Sequence, residues 1–239
     1  MPALTERLLV TGGASGIGRA IAEEGTARGW DVVVVDRDEA PVGRSVLADL
    51  SQIDSTAAAL AEVLADGPVT RLVNNVGAVF PAGLEEQSLD QVGAAFALNL
   101  RCAVQCAQAL LPGMKQASFG RIVNMSSRAA LGKELRTAYA ASKAGLIGLT
   151  RVWALELGEH GITVNAIGPG PIATELFARA NPPDSPRTRA IVESVPVRRL
   201  GTPEDVAHSA SFFLDDRAGF VTGQVLYVCG GMTVGVSPV

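Results

Sequence analysis

The sequence predicts an α/β fold in which a doubly wound parallel sheet is covered by helices on both faces. Short apolar segments rich in β-branched residues recur along the chain, and Ala-rich helical segments separate them. Continuous apolar runs are typical of strands buried on both faces, and their alternation with helices is typical of a parallel sheet. The 239 residues, 48% of them hydrophobic, suffice for one large core. We therefore expect a single domain that spans residues 1–239.

The apolar segments can be assigned to strands in order along the chain. They are RLLVTG, DVVVVD, SVLADL, VTRLVNN, GRIVNMSS, GITVNAIGPG and GQVLYVCGG. Helical segments between them include IGRAIAEEGTARG, LDQVGAAFALNLRCAVQCAQALLPGM and YAASKAGLIGLTRVWALELGEHG. One connection is short, because SVLADL begins nine residues after Asp36. A parallel crossover usually needs a dozen or more residues and a helix, so we expect the crossover helix after the second strand to be missing or reduced to a turn.

The stretch ANPPDSPRTR, residues 180–189, differs in composition from its surroundings. Its three prolines exclude a regular helix. The stretch is interpreted either as a surface loop or as part of a substrate lid, because loops that order on binding often cover active sites. Such a lid would extend over about residues 175–200.

Charge and apolar patterning limit the possible partners. The formal net charge is −4, and the basic residues form no continuous tract, which argues against a nucleic acid or a membrane as partner. The longest apolar runs are shorter than the roughly 20 residues of a membrane span, and the N-terminus lacks a signal pattern. We expect a soluble, cytoplasmic protein that binds small molecules.

The three cysteines indicate neither a metal site nor a disulfide framework. Cys102 and Cys106 lie four positions apart, but the chain has only two histidines, His160 and His208, and no second ligand pair. An odd number of cysteines in a cytoplasmic chain argues against paired disulfides. We interpret these two and Cys229 as core residues, and we expect no metal.

A glycine-rich turn in LLVTGGASGIGRA joins the first strand to an amphipathic helix. Gly12 permits the tight turn, Gly16 lets the backbone approach a pyrophosphate, and Gly18 lets the helix pack closely on the strand. The helix N-terminus adds free N–H groups and a partial positive charge. This arrangement predicts a Rossmann-type fold that binds a dinucleotide.

Asp36 ends the second strand, eighteen positions after Gly18. A carboxylate at this place can accept hydrogen bonds from an adenosine ribose. Its charge would repel a ribose 2′-phosphate, which favours NAD over NADP. The neighbouring Arg37 offers positive charge to such a phosphate, so NADP stays open, and a turn-forming role for Asp36 remains the simpler interpretation of that residue alone.

Tyr139 and Lys143 in TAYAASKAG lie one turn apart on the same helix face. Such pairs also occur on ordinary solvated helices, so the meaning depends on context. Hydride transfer between an alcohol and a nicotinamide needs a group that takes the hydroxyl proton, and a free tyrosine with a pKa near 10 is a poor base. Nearby positive charge stabilises the phenolate. We therefore expect Tyr139 to be the general acid/base and Lys143 to lower its pKa and to bind a ribose.

With TGGASGIG, NNVG, NMSS and YAASK in this order, the chain resembles the short-chain dehydrogenase/reductase family over essentially its whole length. In this resemblance Ser15 stands where NADP-preferring members often carry a basic residue, which again favours NAD. The family commonly forms tetramers through two long helices and the C-terminal strand, so we expect a homotetramer or a homodimer. The implied cofactor contacts are Gly12, Ser15, Gly16, Ile17, Gly18, Asp36, Arg37, Asp49, Leu50, Asn75, Val76, Gly77, Tyr139, Lys143, Pro169, Gly170, Ile172 and Thr174.

The resemblance also implies a serine that hydrogen-bonds the substrate oxygen. NMSS offers Ser126 and Ser127, and strand alternation lets only one of them face the site. Ser127 is preferred because the residues from Arg121 onward align with the family without a gap. Asn99 matches the family's helix asparagine that holds a water leading to the lysine. The expected catalytic residues are Asn99, Ser127, Tyr139 and Lys143.

Three cations lie close in sequence to Tyr139, namely Arg128, Lys133 and Arg136. They are interpreted either as a solvated loop or as residues that recognise a carboxylate, a phosphate or another anionic group of a substrate.

Taken together, the sequence predicts an NAD-dependent enzyme that transfers hydride between a secondary alcohol or ketone and nicotinamide. An NADPH-dependent 3-oxoacyl reductase is the alternative among enzymes, and Asp36 and Ser15 argue against it. A dinucleotide-sensing protein without turnover is the alternative from another class, although such proteins normally lose a catalytic residue. No rule of sequence identifies the substrate.

Overall fold

A computed structural model describes residues 6–182 and 185–235. The strands are β1 (Arg7–Thr11), β2 (Asp31–Asp36), β3 (Arg44–Leu47), β4 (Arg71–Asn74), β5 (Gly120–Met125), β6 (Ile162–Ile167) and β7 (Val225–Leu226). They form a seven-stranded sheet in the order β3-β2-β1-β4-β5-β6-β7, and all neighbouring strands run parallel. This sheet confirms the predicted fold class.

Helices cover both faces of the sheet. They are α1 (Gly16–Ala27), α2 (Ile53–Ala65), α3 (Leu89–Phe96), α4 (Cys102–Ala117), α5 (Thr137–Leu157), α6 (Glu175–Ala180), α7 (Pro186–Ser194) and α8 (Pro203–Leu214). One hydrophobic core lies between the sheet and α2, α4 and α5, and a second lies between the sheet and α1 and α8. Successive strand residues such as Leu8 and Leu9 point into opposite cores, because side chains alternate along a strand. The continuous apolar strands are explained by this burial on both faces.

The strand order reverses between β1 and β4, which opens a crevice at the carboxyl ends of these strands. A line of buried amides fixes the next elements to each other. Asn74 donates to Asn124 at 2.8 Å, and Asn124 donates to Thr150 of α5 at 2.9 Å. These bonds tie β4, β5 and α5 together behind the crevice.

Two connecting segments, residues 37–43 and residues 180–189, compare differently with the expectations from the sequence. Residues 37–43 join β2 to β3 without a helix, as the short spacing requires. The expectation that residues 180–189 contain no regular helix is wrong, because α7 begins at Pro186. Proline is accepted in the first helical turn, where no N–H is needed, and Ser185 caps the helix by accepting the Thr188 N–H at 3.1 Å. Pro183 and Asp184 of the expected lid lie outside the described residues.

The continuous helical segment Leu89–Ala117 joins α3 to α4 through a π-helical turn, Ala97–Arg101. Within the described part of the chain it is the one helix that is long and apolar enough to cross a membrane by length and composition. This differs from the expectation of short, broken apolar runs only. Cys102, Cys106 and Leu110 of this segment are buried in the first core, and core helices of soluble proteins meet the same criteria.

Candidate active site

The glycine-rich turn after β1 has the shape that a pyrophosphate site requires. Gly12 and Gly16 have φ angles of 68° and 54°, in the left-handed region that favours glycine. A Cβ at Gly18 would lie 2.1 Å from the carbonyl oxygen of Gly12. The N-cap residue Ser15 makes no side-chain cap, and the first turn of α1 carries no acidic residue. The N–H groups at the start of α1, such as that of Ile17, are therefore available to an anionic ligand.

The residues after β4 hold this turn in shape. Asn75 donates its side-chain amide to the carbonyl oxygens of Thr11 at 3.0 Å and of Gly12 at 2.8 Å. The backbone N–H groups of Asn75 and Val76 donate to the Thr11 hydroxyl at 3.0 and 3.2 Å. Val76 approaches so closely that a Cβ at Gly12 would lie 2.9 Å from its Cα. The ends of β1 and β4 thus form one wall of the crevice.

The ends of β2 and β3 bring the predicted adenine-side residues together. Asp36 accepts the N–H of Ala14 at 2.9 Å through one oxygen and that of Arg37 at 2.6 Å through the other. Leu50 is buried beside them, whereas Asp49 is exposed. Hydrogen bonds from Ser51, and to a smaller extent the charge of Arg37, lower the pKa of Asp49. The positive charge of Arg37 therefore lies close enough to Asp49 to act on its carboxylate.

Tyr139 and Lys143 lie in the first turns of α5, at the crevice. The Lys143 ammonium is buried, donates to the Met125 carbonyl at 2.7 Å and lies 5.7 Å from the centre of the Tyr139 ring. Burial lowers the pKa of Lys143 to about 8. Burial also raises the pKa of Tyr139, while a hydrogen bond with Ser127 and the charge of Arg136 oppose this rise.

Arg136 adds a positive charge that lowers the pKa of Tyr139, an effect that the sequence did not predict. The expected effect of Lys143 on the pKa of Tyr139 stays a prediction. The Lys143 ammonium donates a hydrogen bond to the Met125 carbonyl. Its burial disfavours the charged form, which is why the pKa of Lys143 is lowered.

The two serines of NMSS point in different directions. Ser126 is buried, and its hydroxyl donates to the carbonyl oxygen of Lys143 at 2.8 Å, so it ties β5 to α5. Ser127 accepts the N–H of Ala129 at 3.1 Å, and its side chain lies close enough to Tyr139 to lower the pKa of that residue. Of the two, Ser127 is the serine whose hydroxyl meets Tyr139.

Asn99 lies in the π-helical turn and faces the same region. Its oxygen accepts the N–H of Ala78 at 2.8 Å, and its amide donates to the carbonyl of Ala78 at 3.0 Å and to the hydroxyl of Ser142 at 2.9 Å. A Cβ at Gly77 would lie 3.0 Å from the Asn99 oxygen and 3.2 Å from the Lys143 nitrogen. Asn99, Gly77 and Lys143 therefore converge at one point.

Ser142 is a site residue that the sequence reading missed. Its hydroxyl donates to the Tyr139 carbonyl at 2.9 Å and accepts from Asn99. The sequence signal for Ser142 was a polar residue directly before Lys143 in a run of small residues. That position does not reveal the partner, because Asn99 is 43 residues away.

The segment after β6 closes the crevice from the other side. The Pro169 carbonyl accepts the Arg128 N–H at 3.0 Å, and Gly170 donates to the Val228 carbonyl at 2.9 Å. Ile172 is buried, and the methyl group of Thr174 lies 3.3 Å from where a Cβ at Gly16 would stand. Of the predicted residues of this segment, Thr174 thus faces the glycine-rich turn.

These elements form a Rossmann-type crevice with Tyr139 and Lys143 at one end, an arrangement typical of nicotinamide-dependent oxidoreductases. Residues 12–233 match the family model described as enoyl-(acyl carrier protein) reductase. The chain belongs to the short-chain dehydrogenase/reductase family, whose members bind nicotinamide dinucleotides.

Several relatives are similar over nearly their whole length. A (2S)-[(R)-hydroxy(phenyl)methyl]succinyl-CoA dehydrogenase subunit from Thauera aromatica is 38% identical over 95% of this chain and 96% of its own. An acetoacetyl-CoA reductase from Shinella zoogloeoides is 37% identical over 93% and 96%. Among solved structures, a blue fluorescent protein from a metagenomic library in complex with NADPH matches with a TM-score of 0.85 and 32% identity, over 95% of this chain and 98% of that chain.

Proposed function

We propose that the protein transfers hydride between a secondary alcohol or ketone and a nicotinamide cofactor, with Tyr139 as the general acid/base. One observation carries the proposal. The side chain of Ser127 lies close enough to Tyr139 to lower its pKa, and the ammonium of Lys143 lies 5.7 Å from the Tyr139 ring. This arrangement stands at the open end of a crevice whose glycine-rich turn fits a dinucleotide.

Each catalytic residue has a role that its contacts support. The nicotinamide, when bound, supplies or accepts the hydride. Ser127 holds the substrate oxygen by a hydrogen bond, and Tyr139 takes the hydroxyl proton during oxidation or returns it during reduction. Lys143 binds the cofactor ribose and supplies positive charge near the phenolate. Asn99 positions Gly77 and Ala78 at the cofactor and connects Lys143 with a water.

The proposed cofactor is NAD. The carboxylate of Asp36 is held at the end of β2 by the N–H groups of Ala14 and Arg37, where it accepts the ribose hydroxyls and repels a 2′-phosphate. Arg37 favours NADP in principle, but it is exposed and lies near Asp36 and Asp49. A similar solved structure holds NADPH, so this assignment requires a direct test.

That test is a titration of the protein with NADH and with NADPH, followed by the fluorescence of the bound nicotinamide. We expect tighter binding of NADH, and we expect Asp36→Ala to reduce the difference. Tighter binding of NADPH by the wild type would contradict the NAD assignment. Turnover is then measured with a panel of secondary alcohols and ketones, and the proposal fails if the protein binds cofactor but converts none of them.

An NADPH-dependent 3-oxoacyl reductase is the second candidate. It is favoured by relatives whose names specify thioester substrates, such as the acetoacetyl-CoA reductase. Reduction of acetoacetyl-CoA with NADPH in preference to NADH would select this candidate. A binding protein without turnover is the third candidate, but Asn99, Ser127, Tyr139 and Lys143 are all present.

We further propose a cytoplasmic homotetramer or homodimer that contacts neither nucleic acid nor membrane. Leu155 of α5 is 86% exposed and Val152 is 48% exposed, which is consistent with a subunit contact on this helix. Size-exclusion chromatography with light scattering tests the assembly, and a monomer would contradict it.

A further inference from the structure

A group of four cations lies beside Ser127 and Tyr139, and we call it the rim cluster. Arg128, Lys133 and Arg136 lie between β5 and α5, and Arg187 comes from the first turn of α7. The four are close enough to repel one another. Arg136, Arg128 and Arg187 all lower the pKa of Lys133, after the effect of its partial burial, and Arg187 also lowers that of Arg136.

The rim cluster lacks the carboxylates that accompany other cations of this chain. Arg7 pairs with Asp31 at 2.7 Å, and Arg199 pairs with Asp205 at 2.6 Å. Among the described residues, no carboxylate forms an ion pair with any member of the rim cluster. Glu134 is the acidic residue within 128–136, and it makes no such pair either. Within residues 6–182 and 185–235, no ion pair therefore neutralises this positive charge.

The backbone fixes this charge beside the catalytic residues. Arg128 directly follows Ser127, and its N–H is held by the carbonyl of Pro169 at 3.0 Å. Arg136 is the N-cap residue of α5 and lies one turn before Tyr139, with its backbone bridged to Ala82. Because no side chain caps this helix end, its partial positive charge adds to that of the arginines.

Positive charges that lie close together repel one another, and partial burial removes the water that would weaken this repulsion. Both effects cost free energy, and an anionic ligand removes that cost when it binds. Guanidinium groups suit carboxylates and phosphates, because both anions accept two parallel hydrogen bonds. We propose that the rim cluster, Arg128, Lys133, Arg136 and Arg187, binds an anionic group of the substrate at a distance from the reacting carbon. This inference rests on the proposed hydride transfer, and it restricts the substrate to an alcohol or ketone that carries a carboxylate or a phosphate.

The test compares substrates that differ only in this charge. One pair is 4-oxopentanoate and its methyl ester, which tests a carboxylate. The other pair is acetoacetyl-CoA and the acetoacetyl thioester of N-acetylcysteamine, which tests the phosphates of a carrier. Each is assayed with the wild type and with the double variant Lys133→Ala/Arg187→Ala. The matched control is Lys115→Ala, which removes an exposed cation at the end of α4, just before β5 begins and thus away from the carboxyl ends of the strands where the crevice lies.

We expect the wild type to prefer the charged member of one pair in kcat/KM, and that pair identifies the anion. The double variant should lose this preference by about tenfold or more, mainly through KM, because two charge-assisted contacts are removed. The Lys115→Ala protein should keep the wild-type preference for the charged substrate. Equal use of both members of both pairs, or a preference that survives in the double variant, would overturn the inference while leaving hydride transfer intact.

Failure of hydride transfer itself is recognised separately, by the absence of turnover with all four compounds. The rim cluster is then tested by calorimetric titration of the wild type with 4-oxopentanoate and with coenzyme A. Binding that weakens with added salt and is lost in the double variant would support the anion site. Absence of binding to either compound would overturn it.

Discussion

Asn99 holds both backbone groups of Ala78, accepting its N–H at 2.8 Å and donating to its carbonyl at 3.0 Å. The same amide donates to Ser142, whose hydroxyl donates to the carbonyl of Tyr139. The loop after β4, which carries Gly77, is therefore fixed to the helix that carries the catalytic pair. A π-helical turn places Asn99 at this position, and such turns often occur at functional sites.

Replacement of Asn99 by leucine, which has a similar shape, should destabilise the fold and abolish turnover. It leaves both polar groups of the partly buried Ala78 without this partner, and an unpaired group costs about 1–3 kcal/mol where water does not reach it. Urea unfolding measures the loss. Ser142→Ala is the matched control, because Asn99 then keeps both bonds to Ala78. An Asn99→Leu protein as stable as the Ser142→Ala protein would contradict this role.

Gly18 should not tolerate even a methyl group. A Cβ there would lie 2.1 Å from the Gly12 oxygen and 2.5 Å from the Asn75 amide nitrogen, so Gly18→Ala must displace the glycine-rich turn. We expect loss of NADH binding and a lower melting temperature. Gly93 in α3 is the control, since a Cβ meets nothing within 4 Å, and Gly93→Ala should stabilise by about 0.5–1 kcal/mol. Unchanged NADH affinity in Gly18→Ala would be the contrary result.

Lys143 should make stability depend on pH in a defined window. Burial lowers its pKa from 10.5 to about 8, so between these values the unfolded state binds more protons than the folded state. Stability therefore rises with pH across this window, by about 2 kcal/mol between pH 7 and pH 9.5. Below pH 8 both states carry the proton and this contribution is flat.

The measurement is urea unfolding at both pH values in a Tyr139→Phe background, which removes the titration of the phenol. The protein that retains Lys143 should gain stability relative to Tyr139→Phe/Lys143→Met as the pH rises. The expectation is wrong if the difference between these two proteins is the same at pH 7 and pH 9.5.

The sequence predicted the sheet because strands buried on both faces leave an unambiguous local pattern. Gly12, Gly16 and Gly18 were equally visible, since their spacing follows from one turn and one helix. The other contacts of the site join residues that are far apart in the sequence. Neither the Asn99–Ser142 bond nor the approach of Arg187 to Lys133 leaves a periodic signal.

Proline composition misled the prediction at residues 180–189. It forbids a helix interior but not a helix start, and the sequence alone did not show that Pro186 occupies the first turn of α7. The contacts of Lys143 were also only partly visible in the sequence. Its distance from Tyr139 was predictable, but the direction of its ammonium toward Met125 was not.

The central claim is that the hydroxyl of Tyr139 moves the proton in hydride transfer. The most direct measurement is steady-state turnover of Tyr139→Phe, with NADH binding followed by fluorescence in the same preparation. Removal of one hydroxyl should lower kcat by a factor on the order of 100 or more, while NADH affinity stays within about threefold of the wild type. A Tyr139→Phe protein that turns over at the wild-type rate would contradict the account.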